Sequence, residues 1–278
     1  MNLKFIKMTG AGNDFILIDN RDGQYDHIKW AELAPKLCNR YFGVGGDGLL
    51  VLNSSHSVDF KLDYYNSDGS YGGMCGNGGR CASHYYMDME NFETSKFESL
   101  DYIYHASRIN KSDILLKMKP VSFINIKDFI NLFNLSIPIY FINTGAPHVV
   151  IFIDDLSEDI KKKINVYGIN EIGRIIRYHE KFQPDGTNVD FLEIDDKGKV
   201  VMRTYERGVE TETLACGTGA VACATVAHII KKIPVPVEIL TYSKNILRVS
   251  FKFNGSSFEE VELKGPALKV FEGIYKYK

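Results

Sequence analysis

Two copies of the pattern C-G-x-G, Cys75-Gly76-Asn77-Gly78 and Cys216-Gly217-Thr218-Gly219, stand 141 residues apart in a chain of 278. The same offset carries Tyr64 onto Tyr205, and it carries Asp47, which leads into Gly48-Leu49-Leu50-Val51-Leu52, onto Asn188, which leads into Val189-Asp190-Phe191-Leu192. Thr9-Gly10-Ala11 recurs as Thr144-Gly145-Ala146 at an offset of 135. Each match is short, but their shared order predicts a duplicated chain, which restricts the fold to two versions of one unit.

Within each half, β-rich or alternating segments predict strands at 3–8, 15–19, 49–52, 59–65, 113–118 and 140–143, then at 148–153, 189–194, 200–205, 235–240, 247–253 and 258–263. Helical periodicity is best over 28–41, 78–89, 169–178 and 220–232. Many strands and few helices predict an α+β protein with largely antiparallel sheets and a helix after each C-G-x-G. The expected halves are 1–119, which carries Cys75, and 120–264, which carries Cys216. The segment 265–278 is expected to return as a strand to the first half.

Composition bounds the partners. With 33 basic and 35 acidic residues in no long like-charge block, the net charge of −2 leaves no footprint for nucleic acid or anionic lipid, so a small molecule is the expected partner. The N-terminal segment lacks the apolar run of a secretory signal, and no stretch approaches a membrane span, so a cytoplasmic protein is expected. Five cysteines, an odd number with no C-x-x-C, disfavour a disulfide framework and a structural zinc.

Cys75 and Cys216 each precede a glycine-rich turn that opens a helix of small residues. At such a place the unpaired amides and the macrodipole stabilise a thiolate, and the same amides make a carboxylate site beside the sulfur. Cysteines more often simply pack, and that is the expectation for Cys38, Cys81 and Cys223. Gly43 to Gly48 formally fits G-x-G-x-x-G, but it follows a helical pattern and precedes a strand, the reverse of a dinucleotide loop. Gly217 to Ala222 fits the looser form and opens a helix, yet 211–215 is a poor parallel strand. The adjacent Glu206 and Arg207 read as a surface ion pair or as groups suited to the ammonium and carboxylate of an amino acid. His148 reads as a satisfied core histidine or as a group tuning a thiol.

The segments K-M-T-G-A-G-N-D-F (7–15), Y-N-S-D-G (65–69), M-C-G-N-G-G-R-C (74–81) and E-R-G-V followed by E-T-L-A-C-G-T-G-A (206–220) resemble the diaminopimelate epimerase family nearly end to end. The resemblance implies two pseudo-symmetric domains, each with a sheet wrapped around a central helix, and a substrate between Cys75 and Cys216, the acid/base pair. It implies that Gly76, Asn77, Gly217 and Thr218 hold the reacting carboxylate. Asn13, Asn66, Asn188, Glu206 and Arg207 would bind the amino and carboxyl groups of the substrate, and His148 and Glu206 would adjust the thiols. It implies a homodimer with neither metal nor pyridoxal phosphate, interconverting LL- and meso-diaminopimelate for lysine and peptidoglycan precursors. Gly48 stands where many members carry glutamine, and Ala146 where many carry asparagine, so some polar contacts are expected to be replaced. Proline-racemase-like enzymes share the two-cysteine logic, with a histidine in the place of Asn77. The rival classes are a cysteine hydrolase built on one cysteine with His148, and an amino-acid binding protein.

Overall fold

The computed structural model describes residues 2–122, 127–195 and 198–276; the outermost residues of the expected first half, 1 and 277–278, lie outside them. The chain divides into two compact units, one of residues 1–118 with 264–278 and one of residues 119–263.

The first unit opens with β1 (Asn2–Gly10) and β2 (Asn13–Asn20), an antiparallel hairpin in which Gly10 faces Asn13. Its two turn residues, Ala11 and Gly12, both have positive φ, the backbone that a two-residue hairpin needs. Then come α1 (Trp30–Cys38), β3 (Gly48–Asn53), β4 (Phe60–Asn66), α2 (Gly76–Glu90), β5 (Thr94–Ser99), β6 (Tyr102–Arg108) and β7 (Asp113–Lys117). Phe15 to Ile18 and Leu49 to Leu52 are fully buried, and β2 and β3 pair parallel, as continuous apolar runs covered on both faces do. β3–β4 is antiparallel, β4–β5 parallel and β5–β6 antiparallel.

The second unit comprises β8 (Val121–Ser122), β9 (Lys127–Leu132), β10 (Leu135–Asn143), β11 (Pro147–Phe152), α3 (Glu158–Arg177), β12 (Asn188–Ile194), β13 (Val200–Glu206), β14 (Thr211–Thr213), α4 (Gly217–Lys231), β15 (Val237–Leu240), β16 (Ile246–Phe253) and β17 (Ser257–Pro266). β17 runs on into the first unit, where β18 (Leu268–Lys276) pairs antiparallel with β1. The order of pairings repeats that of the first unit: β10–β11 antiparallel, β11–β12 parallel, β12–β13 antiparallel, β13–β15 parallel, β15–β16 antiparallel. The fold is α+β and internally duplicated.

Two expected helices have different bounds. α1 is shorter than 28–41, because the Asn39 carboxamide takes the amides of Tyr41 and Phe42 and turns the chain out of the helix. α3 is longer than 169–178: it begins at Glu158 and breaks at Gly168, whose φ of 76° no helix contains. The break rotates the buried stripe from Ile160 and Ile164 to Ile169, Ile172 and Ile176, so one helical period cannot describe both parts. These isoleucines pack on β9 to β12, while Leu33, Ala34 and Leu37 of α1 pack on β1 to β3.

α2 and α4 match. Each is 15 residues long, each is preceded by a cysteine N-cap of nearly identical backbone (φ −117°, ψ 121° and φ −119°, ψ 121°), and each ends on a left-handed residue, Asn91 or Lys232. Gly217 to Ala227 are all buried, as are Gly76 to His84. Only small residues let strands close around a helix in this way. A Cβ on Gly78 would lie 2.9 Å from Leu50, and one on Gly79 2.6 Å from Met74.

Candidate active site

In the first unit the hairpin turn delivers Asn13 against the start of α2. The Cys75 thiol lies 3.8 Å from Asn13 Oδ1, and Asn77 Nδ2 donates to the same oxygen at 3.2 Å. The carboxamide of Asn13 is oriented from behind, since its Nδ2 donates to Asp47 Oδ2 at 2.7 Å. Asp47 in turn accepts from Arg40 at 2.6 Å, and Arg40 and Lys7 both bind Asp14. Burial and the neighbouring Asp14 push the Asp47 carboxyl upward, whereas at Asp14 the effect of burial is overcome by hydrogen bonds from Arg40 and Lys7, which hold it below the usual carboxylate range. Asn66, at the end of β4, faces Gly48 across the strand pair, and its side chain donates to Ser70 Oγ at 2.9 Å. Gly48 leaves no room for a larger residue: a Cβ there would lie 2.4 Å from the Tyr64 ring.

In the second unit Cys216 is buried. Its sulfur accepts from the Gly219 amide at 3.4 Å and lies 3.5 Å from Thr218 Oγ1. Thr218 Oγ1 is 3.0 Å from His148 Nε2, His148 Nδ1 is 2.7 Å from Asp190 Oδ2, and Asp190 Oδ1 accepts from Thr204 at 2.7 Å. One tautomer satisfies every group: Nδ1–H donates to Asp190, Nε2 accepts from the Thr218 hydroxyl, and that oxygen accepts from the thiol. Burial above all, then the charges of Glu206 and Asp190, push the Cys216 thiol well above its ordinary range; the hydrogen bonds of Thr218 and Gly219 act the other way. Thr144 Oγ1 donates to Thr218 O at 3.0 Å and fixes the first turn of α4.

Asn188 and Arg207 are linked, since Asn188 Oδ1 accepts from the Arg207 amide at 2.9 Å. Asn188 pairs with His148 across the parallel β11–β12 register. Glu206 and Arg207 have different hydrogen-bond partners. The Glu206 carboxylate accepts from Thr213, while the Arg207 guanidinium donates to Asp185 O at 3.1 Å, because successive side chains at a strand end point to opposite faces.

The structure thus joins Cys75, Asn13 and Asn77 in one cluster, and Cys216, Thr218 and His148 in another. It adds Asp47, Asp190, Thr204, Thr144 and Arg80, none of which the motifs singled out for a role. Asp47, Thr144 and Asp190 carried a trace as landmarks of the duplication, and Arg80 as part of the motif at 74–81. Among the described residues no set of three or more His, Cys, Asp and Glu side chains is arranged to hold a metal ion, and no helix is long and apolar enough to cross a membrane.

Among solved structures, the fold is similar to a hydroxyproline epimerase of Agrobacterium vitis (TM-score 0.70, 14% identity, 98% of this chain and 92% of that one). It is also similar to a PhzF-family phenazine biosynthesis protein of Bacillus anthracis (TM-score 0.69, 14% identity, 100% of each chain). At these identities the likeness defines a fold class, the duplicated α+β architecture that those proteins share. Sequence narrows it. The family model for diaminopimelate epimerase matches residues 5–100 and 140–266. Similar proteins include the diaminopimelate epimerases of Flavobacterium psychrophilum (41% identity, covering 97% of this chain and 99% of the relative) and Aquifex aeolicus (38%, 98% and 97%). The chain belongs to the diaminopimelate epimerase family and is an isomerase.

Proposed function

We propose that this chain interconverts LL- and meso-diaminopimelate by two-base proton transfer, with Cys75 and Cys216 as the acid/base pair and neither metal nor pyridoxal phosphate taking part. The matched N-caps carry this reading: two thiols in one backbone geometry, each at the open end of a buried, glycine-opened helix. Inverting a carbon without redox chemistry needs a base on one face and an acid on the other. In one direction the Cys75 thiolate takes the α-proton, the electron pair spreads into the adjoining carboxylate, and the Cys216 thiol returns a proton to the opposite face. The two sulfurs exchange protonation states with each turnover, and the reverse reaction exchanges their roles.

Protonated Cys216 suits that assignment, since its surroundings favour the thiol and Thr218, His148 and Asp190 hold it in place. Gly76, Asn77, Gly217 and Thr218, in the first turns of α2 and α4, would stabilise the carboxylate as charge builds on it. Asn13, Asn66, Asn188 and Glu206 are assigned to the amino and carboxyl groups, and Arg207 to the carboxylate remote from the reacting carbon, where its planar fork fits.

The reading extends to a homodimer acting in the cytoplasm on the route to lysine and peptidoglycan precursors. Among the described residues the cysteines form no disulfide, as suits a reducing compartment. β18 exposes four apolar side chains, Leu268, Val270, Phe271 and Ile274, suited to covering by a second copy. The test is inversion of LL-diaminopimelate by purified protein, followed by chiral chromatography. Activity is expected without added cofactor and in the presence of chelator and hydroxylamine, with loss on thiol alkylation. Inactivation by hydroxylamine with rescue by pyridoxal phosphate would contradict the proposal.

A further inference from the structure

Arg80 is the bulkiest fully buried side chain among the described residues. It lies one turn into α2, where Nη2 donates to Asn77 Oδ1 at 2.8 Å and Nη1 to Gly76 O at 3.3 Å, while Nε has no acceptor. Among the described residues no carboxylate forms an ion pair with it. A buried guanidinium is ordinarily kept by a counter-charge, because desolvation costs it more than neutral hydrogen bonds return. Here burial dominates and lowers the guanidinium to about 10, against the Cys81 and Cys75 thiols and the Asp113 carboxylate, which favour its charge.

Each possible counter-ion can be weighed. Asp113 on β7 already lies 3.6 Å from Lys264. Cys81 is fully buried and its thiol is pushed up by desolvation. Asp14 and Asp47, beyond Asn13, are matched by Lys7 and Arg40. Cys75 remains: it is half-buried, and it is joined to Arg80 through Asn77 and Asn13.

We propose that Arg80 is a positioning residue for the Cys75 half of the site: it fixes Asn77 in the first turn of α2, behind the sulfur, and supplies the buried positive charge whose counter-ion is the Cys75 thiolate. The inference rests on the reading of Cys75 as an acid/base group. It gives the spacing C-G-N-G-G-R a physical content, since five residues bring the guanidinium one turn behind the N-cap.

The test uses the full chain carrying Cys216→Ala and follows iodoacetamide alkylation of the Cys75 peptide by mass spectrometry from pH 6 to 10. Arg80→Met, which keeps volume and removes charge, should slow alkylation about tenfold at pH 7 and converge with the parent at high pH, because the thiolate fraction falls and not its intrinsic reactivity. Arg80→Lys, which keeps the charge, should stay within about threefold of the parent throughout. A merely structural arginine would lower thermal stability without moving the midpoint of the profile. A folded Arg80→Met whose profile superimposes on the parent overturns the proposal, as does an Arg80→Lys profile displaced as far as that of Met. Should Arg80→Met fail to fold, Arg80→Lys decides alone, a retained profile supporting the proposal and a displaced one overturning it. Alkylation reads the thiol and not turnover. A Cys75→Ala chain that still inverts substrate would sink the acid/base reading and leave this result standing, whereas an unmoved profile sinks only the role of Arg80.

Discussion

At the scale of single residues, the two cysteines differ in surroundings while sharing a backbone. Cys216 is buried behind Thr218, His148 and Asp190, whereas Cys75 is half-buried beside Asn13 and Asn77. If the two thiols are the proposed acid/base pair, replacing either by alanine deletes one proton carrier, so Cys75→Ala and Cys216→Ala should each lose more than the ~10²–10⁴-fold typical of one general acid or base, measured as kcat for inversion. Arg207→Lys keeps charge but loses the fork, so it should raise KM for diaminopimelate at least tenfold with thermal stability unchanged; a near-parental KM would remove Arg207 from the site. The cysteines were legible because a glycine-rich pattern after a cysteine marks an N-cap. Their supporting acids were not. Asp190 reaches His148 from 42 positions away through a parallel strand pair, and Asp47 reaches Asn13 from 34. Glu206 and Arg207, which read as either an ion pair or groups suited to an amino acid, bond to different partners, Thr213 and Asp185 O.

At the scale of elements, α2 and α4 set the terms for everything packed on them. Gly219 illustrates the constraint: a Cβ there would lie 2.7 Å from Asp190 Oδ1 and 3.1 Å from Cys216 Cβ. Alanine in place of glycine inside a helix normally stabilises by about 1 kcal/mol. Here the sign should reverse. Gly219→Ala displaces the buried partner of His148 and should cost ~1–3 kcal/mol in chemical denaturation, with a parallel fall in kcat; a more stable, fully active variant would contradict the packing described. Apolar strands such as β2, β3, β11 and β12 were legible from their runs. β5 and β6 were not predicted, because β5 turns Ser95 and Ser99 inward and its alternation loses contrast. β9 was missed for the opposite reason, since the apolar Phe129 faces outward just before the inward Ile130 and Leu132. Gly168 hid the first half of α3 by shifting its apolar stripe.

At the scale of the molecule, the duplication was the most legible feature, because each half conserves its cysteine N-cap, its tight turns and its apolar runs in one order. The buried thiols also tie stability to pH. Burial pushes Cys38 up to about 12 and raises Cys81, Cys216 and Cys223. A group whose folded pKa is raised contributes stability in full below its unfolded value, and that contribution is lost as pH climbs toward the folded value. Each such thiol removes up to about 1.4 kcal/mol per pH unit above its unfolded value near ~8.5. Tm in reducing buffer should therefore fall steadily from about pH 9 upward; a flat Tm to pH 11 would contradict the burial of these thiols.

The central claim is that two separate thiols, and not one swinging base, invert the carbon. It is tested most directly by starting from a single isomer of diaminopimelate in heavy water and measuring α-deuterium in product and residual substrate at early conversion. A two-base enzyme delivers a solvent-equilibrated proton from the face opposite to the one it deprotonates. Product should carry α-deuterium from the first turnover while recovered substrate stays protiated. Substrate that gains deuterium as fast as product forms, or product that retains the original proton, would show one base serving both faces and would contradict the account.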